Sequence, residues 1–103
     1  VRTQNIDVPK EKIVSLCQRW YITKLSLFGS VLRDDFRPDS DIDVLVEFHP
    51  EHIPGFLKLH RIQEELVTLL GNHPIDLVTP KFLNPRIRDR ILAEAEVYYD
   101  AKR

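Results

Sequence analysis

With 103 residues, 43% of them hydrophobic and 30% charged, the chain reads as a single domain, residues 1–103, of ordinary globular composition. A formal net charge of −1 excludes the basic surplus that draws a protein onto nucleic acid, and no apolar run is long enough to span a membrane. The lone cysteine, Cys17, excludes an internal disulfide framework and fits a reducing, cytoplasmic setting.

Residues 1–6 read as a frayed terminus. Asp7 is placed to N-cap a helix with Pro9 in its first turn, and Ile13, Val14, Leu16, Cys17 and Trp20 follow at helical spacing. "TKLSLFG" alternates Leu25 and Leu27 against Lys24 and Ser26, which predicts a strand ending at Gly29, with a short helix from Ser30. "DDFRPDS" is a loop. "DIDVLVEF" is the clearest strand, with Ile42, Val44, Val46 and Phe48 on one face. Residues 55–70 predict an amphipathic helix carrying Leu59, Ile62, Leu66, Leu69 and Leu70, with Gly71 as its C′ residue. "PIDLVTP" predicts a short strand. Residues 86–100 predict a last helix, with Ile87, Ile91, Ala95 and Tyr98 on one stripe. The order αβαβαβα describes a small α/β (α+β) domain with at least three strands and helices packed on one face.

The aspartates point to chemistry. In a strand Asp41 and Asp43 face the same way, about 6.5–7 Å apart, opposite the apolar face. In "IDLV", Asp76 likewise points away from Ile75 and Leu77, so pairing of the two strands brings three carboxylates to one patch. Aspartate is depleted in strands. Unit charges about 5 Å apart repel by roughly 3 kcal/mol at an effective dielectric of about 20, so the cluster calls for a cation. Hard oxygen donors select Mg²⁺ or Mn²⁺. Asp34, Asp35 and Asp39 are read as turn residues, and Glu47, about 13 Å from Asp43 at strand rise, is too far to be a ligand. Gly29 and Ser30, at a strand-to-helix turn, form a place where backbone N–H groups meet phosphate, and Arg33 lies one turn on. His49 and His52 lack the partners a zinc site needs. His60 and His73 read as surface residues, and "RIRDR" as a solvated basic helix face.

Gly29-Ser30, ten intervening residues and Asp41-x-Asp43 resemble the signature of the DNA polymerase β-like nucleotidyltransferases. "SDIDVLVEF" and "IRDRILAEAEVYYD" resemble its minimal nucleotidyltransferase (MNT) antitoxin group. The resemblance implies the minimal nucleotidyltransferase fold, with Asp41, Asp43 and Asp76 as catalytic and metal-binding residues for two Mg²⁺ ions. It also implies that Gly29 and Ser30 bind the β- and γ-phosphates of ATP, with Arg33 beside them. A metal-activated acceptor hydroxyl would attack the α-phosphorus while the second ion stabilises the departing pyrophosphate. Many such relatives carry a glycine after the arginine, where this chain has Asp34. The implied role is that of an antitoxin that transfers AMP from ATP to a tyrosine hydroxyl of its partner, a HEPN-domain ribonuclease toxin. The alternatives are a binding-only antitoxin acting by occlusion and a small-molecule nucleotidyltransferase.

Overall fold

The computed structural model describes residues 3 and 5–102, folded as a four-stranded mixed sheet with three α-helices. Helix α1 (Lys10–Arg19) leads into β1 (Ile22–Phe28), which ends in a 3₁₀ turn over Gly29–Leu32. After the aspartate-rich loop comes β2 (Ile42–Phe48), then α2 (Phe56–Leu69) and β3 (Ile75–Val78). Helix α3 (Pro85–Glu94) and β4 (Glu96–Asp100) complete the chain. The strands lie side by side in the order β3-β2-β1-β4. The β1–β2 and β1–β4 pairs are antiparallel, while β2–β3 is parallel, as the intervening α2 crossover requires.

The core follows the apolar periodicities. Ile13, Leu16 and Cys17 of α1 and Ile62 and Leu66 of α2 pack on Leu25 and Leu27 of β1 and on Ile42, Val44 and Val46 of β2. All are buried. Both helices therefore cover the sheet face opposite the aspartates. The α2 helix ends as its sequence predicts, with Gly71 at φ +86°, a conformation that other residues adopt at a cost. Helix α3 buries no residue of its own. Leu45 and Leu83 are buried outside the main cluster.

Three expectations are corrected. The last helix stops at Glu94, and residues 96–100 form β4, not helix. Ala95 turns to extended geometry (φ −64°, ψ 140°), and the Val97-Tyr98-Tyr99 run supplies strand-forming side chains to the otherwise unpaired edge of β1. Tyr98 shares a helical stripe with Ile87 and Ile91 only by coincidence of spacing. It reaches the core as a strand residue, 5% exposed. At the other end, Pro9 and not Asp7 occupies the N-cap of α1, without a side-chain cap. Nor is the described part of residues 1–6 loose: Thr3 and Ile6 are buried, followed by Val8, while residues 1, 2 and 4 lie outside the described residues. Among the described residues, no helix is long and apolar enough to cross a membrane.

Candidate functional site

The sheet register assembles the candidate residues. Phe28, the last residue of β1, pairs with Asp43 of β2, and Asp43 pairs with Asp76 of β3. One row across three strands therefore carries two carboxylates and ends beside Gly29. Asp41 precedes β2 by one position, on the aspartate side, and is exposed like Asp76, whereas Asp43 is half-buried. The expected convergence of β2 and β3 thus holds, with Asp43 as its centre.

Asp43 feels this placement. Burial, the charges of Asp76 and Asp41, and a hydrogen bond to the Asp76 side chain push its carboxyl up to about 6 from an ordinary 3.8. Only Arg33 acts in the opposite direction. Crowded carboxylates short of positive charge are what a divalent cation relieves. The donor set, all hard oxygen, suits Mg²⁺. Among the described residues no group of three or more His, Cys, Asp or Glu side chains is gathered closely enough to hold a metal ion by itself.

Gly29 fits the carboxylate closely. Its φ is +78°, and a Cβ at this position would lie 2.1 Å from Asp43 Oδ2. Only glycine satisfies both conditions, so the turn approaches the carboxylate with bare backbone. Ser30 follows within the 3₁₀ turn, and its carbonyl accepts the N–H of Arg33 at 2.9 Å. The exposed guanidinium of Arg33 lies 3.5 Å, Nε to Oδ1, from Asp35.

Sequence reasoning missed Asn5. Its Nδ2 donates to the carbonyls of Val31 (2.6 Å) and Arg33 (2.8 Å), holding the end of the Gly29–Leu32 turn from outside. No spacing rule reveals a tether across 26 residues; an amide in an apolar segment, "NIDV", is the only trace. The histidines stay outside the site. His52 stacks on Tyr21 with ring centroids 3.7 Å apart, and His49 contacts His52 edge-on at 5.6 Å. His60 pairs with Glu64 on the surface of α2, while His73 is half-buried against Phe36.

The chain and its fold have counterparts among known proteins. Residues 10–98 match the family described as nucleotidyltransferase domain. The chain belongs to this family. A candidate protein adenylyltransferase of Methanocaldococcus jannaschii is 37% identical over 88% of this chain and 95% of its own length. The protein adenylyltransferase MntA of Thermococcus cleftensis is 38% identical, over 77% of each chain. Among solved structures, a candidate minimal nucleotidyltransferase superposes with a TM-score of 0.69 at 38% identity, covering 84% of this chain and 86% of its own. Two toxin–antitoxin complexes share the fold at 17% identity. One, solved with AMP-PNP, has a TM-score of 0.70 and covers 90% of this chain and 74% of its own. The other joins a tri-AMPylated Shewanella oneidensis HEPN toxin to an MNT antitoxin, with a TM-score of 0.57, covering 90% of this chain and 71% of its own. The nucleotidyltransferase described here is thus an enzyme of nucleotidyl transfer with the minimal form of that fold.

Proposed function

We propose that this nucleotidyltransferase is the antitoxin of a toxin–antitoxin pair and acts by transferring AMP from ATP to a tyrosine hydroxyl of a HEPN-domain ribonuclease partner. The observation that carries the reading is the row that runs from Gly29 through Asp43 to Asp76, with exposed Asp41 beside it. Relatives named as protein adenylyltransferases support the acceptor class, and the fold shared with chains of toxin–antitoxin complexes supports the partner.

In this reading Asp41, Asp43 and Asp76 hold two Mg²⁺ ions. The bound ions would lower the pKa of the attacking hydroxyl and stabilise charge on the departing pyrophosphate. The protein's own part is positioning. The backbone of Gly29 and Ser30 receives the β- and γ-phosphates, and the missing Cβ leaves them room next to Asp43. Arg33, exposed at the end of the same turn, faces the same anion. The acceptor oxygen bonds to the α-phosphorus as the bond to the pyrophosphate oxygen breaks, and the phenolic proton passes to water. A protein acceptor brings its own binding surface, which suits the exposed setting of Asp41 and Asp76.

The test uses ATP labelled at the α-phosphate, Mg²⁺ and a co-purified HEPN-domain partner. Label is expected on the partner with the wild-type chain and none with Asp43→Asn, which should still form the complex. An unlabelled partner in an intact wild-type complex would overturn the reading in favour of neutralisation by occlusion. Transfer to a small hydroxylated molecule without any partner would favour a small-molecule nucleotidyltransferase.

A further inference from the structure

Beside Gly29 lies a cavity of about 620 Å³, lined by Gly29, Leu32, Arg33, Arg90, Glu94 and Glu96. Arg90 belongs to α3 and Glu96 begins β4, elements the aspartate signature does not include. Topology brings them here. Glu96 pairs with Leu27, two residues before Gly29, so the last turns of α3 lie beside the glycine turn.

We infer that Arg90 is a triphosphate-binding residue, gripping the donor nucleotide from α3 while Gly29, Ser30 and Arg33 hold it from the β1 turn. This assignment rests on ATP being the donor. The bonding pattern of the neighbouring arginines favours it. Arg88 is committed to structure, since Nε donates to the Pro80 carbonyl at 2.9 Å and an Nη to the Leu83 carbonyl at 3.1 Å. The side chain of Arg90, two residues later, makes no hydrogen bond or ion pair with any described residue, although Glu94 lies one turn further along the same helix. Glu96, the other carboxylate of the cavity, accepts the Tyr98 hydroxyl at 3.0 Å. The cavity thus keeps one uncommitted guanidinium, that of Arg90, beside Arg33 in its lining.

A guanidinium is well matched to a polyphosphate, being planar, always charged and equipped with paired donors that fit phosphate oxygens. Electrostatics calls for one here. Asp41, Asp43 and Asp76 repel any polyphosphate, and among the described residues Arg33 is the one cation that offsets them at Asp43. A second arginine in the same cavity doubles the number of guanidinium groups available to the part of ATP that departs. Glu94 and Glu96 line the same cavity, so the anion must be held by the guanidinium groups against two carboxylates.

Calorimetric titration of the folded chain in Mg²⁺ with ATP, AMP and inorganic tripolyphosphate tests the assignment. Arg90 is exposed on a helix without buried residues, so Arg90→Ala should fold as the wild type does. It should bind ATP and tripolyphosphate roughly ten- to hundredfold more weakly, the loss of a charge-assisted hydrogen bond, and AMP equally well. Arg90→Lys should recover part of the loss. In the transfer reaction KM for ATP should rise more than kcat falls. Arg86→Ala, which removes a charge from the same helix outside the cavity, should change neither ligand's affinity. Wild-type ATP affinity in Arg90→Ala would overturn the assignment, as would equal weakening by Arg86→Ala, which would mark a long-range charge effect. A wild-type chain that binds neither ATP nor tripolyphosphate would overturn the ATP reading itself, a result separate from the other two.

Discussion

Gly29 and Asp43 touch across the β1–β2 pair so closely that a single methyl group on Gly29 would lie 2.1 Å from Asp43 Oδ2. Gly29→Ala must therefore move the turn or the carboxylate, and it also holds an alanine at a positive φ. The expected cost is about 2–4 kcal/mol, the sum of backbone strain and overpacking. Urea unfolding should show a lower midpoint with an unchanged slope, and ATP binding should fall with it.

Asp43→Asn should inactivate the protein and stabilise it at the same time. In the metal-free chain the Asp43 carboxyl titrates at about 6 instead of 3.8, so the folded state holds its proton more tightly than the unfolded state does. Stability from that proton is fully present below about 3.8 and is lost as pH rises through about 6. Asparagine keeps the shape and has no charge to lose. Thermal melts in a chelator should put Asp43→Asn above wild type at about pH 8, with the gap closing as the pH falls toward about 4. Adding Mg²⁺ at about pH 8 should raise the wild-type melting temperature and leave that of the variant unchanged.

Asn5→Ala should loosen the Gly29–Leu32 turn from a distance. Two carbonyls, those of Val31 and Arg33, lose their donor. Unfolding stability should drop by about 1–3 kcal/mol. The accompanying rise in KM for ATP, larger than the change in kcat, would separate a positioning role from a purely structural one. An unchanged KM in a destabilised variant would remove Asn5 from the site.

Cys17 should be inert in the folded protein. Burial pushes its thiol up to about 12 from an ordinary 9.0, which leaves almost no thiolate at neutral pH. A colourimetric thiol reagent should find no reactive group in the native chain and one in denaturant.

The parts of this protein visible in the sequence were those set by local pattern. Alternation marked β1 and β2, helical spacing marked α1 and α2, and Gly71 closed α2 because a C′ residue at positive φ favours glycine. The shared face of Asp41, Asp43 and Asp76 stands out because an aspartate in an apolar strand conflicts with its own propensity, while the pairing of Asp43 with Asp76 is set by the parallel β2–β3 register. Residues 96–100 were misread because helix and strand periods overlap over so few positions; what decides there is the free edge of β1, a tertiary fact. Asn5 and Arg90 escaped for the same reason. Asn5 bonds to the glycine turn and Arg90 lines the cavity beside it, each from an element far along the chain, and nothing in the neighbouring residues announces either placement.

Helix α2 stands between Asp43 and Asp76 in the chain, and the parallel β2–β3 pairing exists only once that crossover has closed. The carboxylate row therefore reports on completed folding. A chain still emerging during synthesis exposes Asp41 and Asp43 well before Asp76 can join them, and Arg90 follows later still. The row is thus completed only by the last third of the chain, so an incompletely made copy holds Asp41 and Asp43 without their partner on β3.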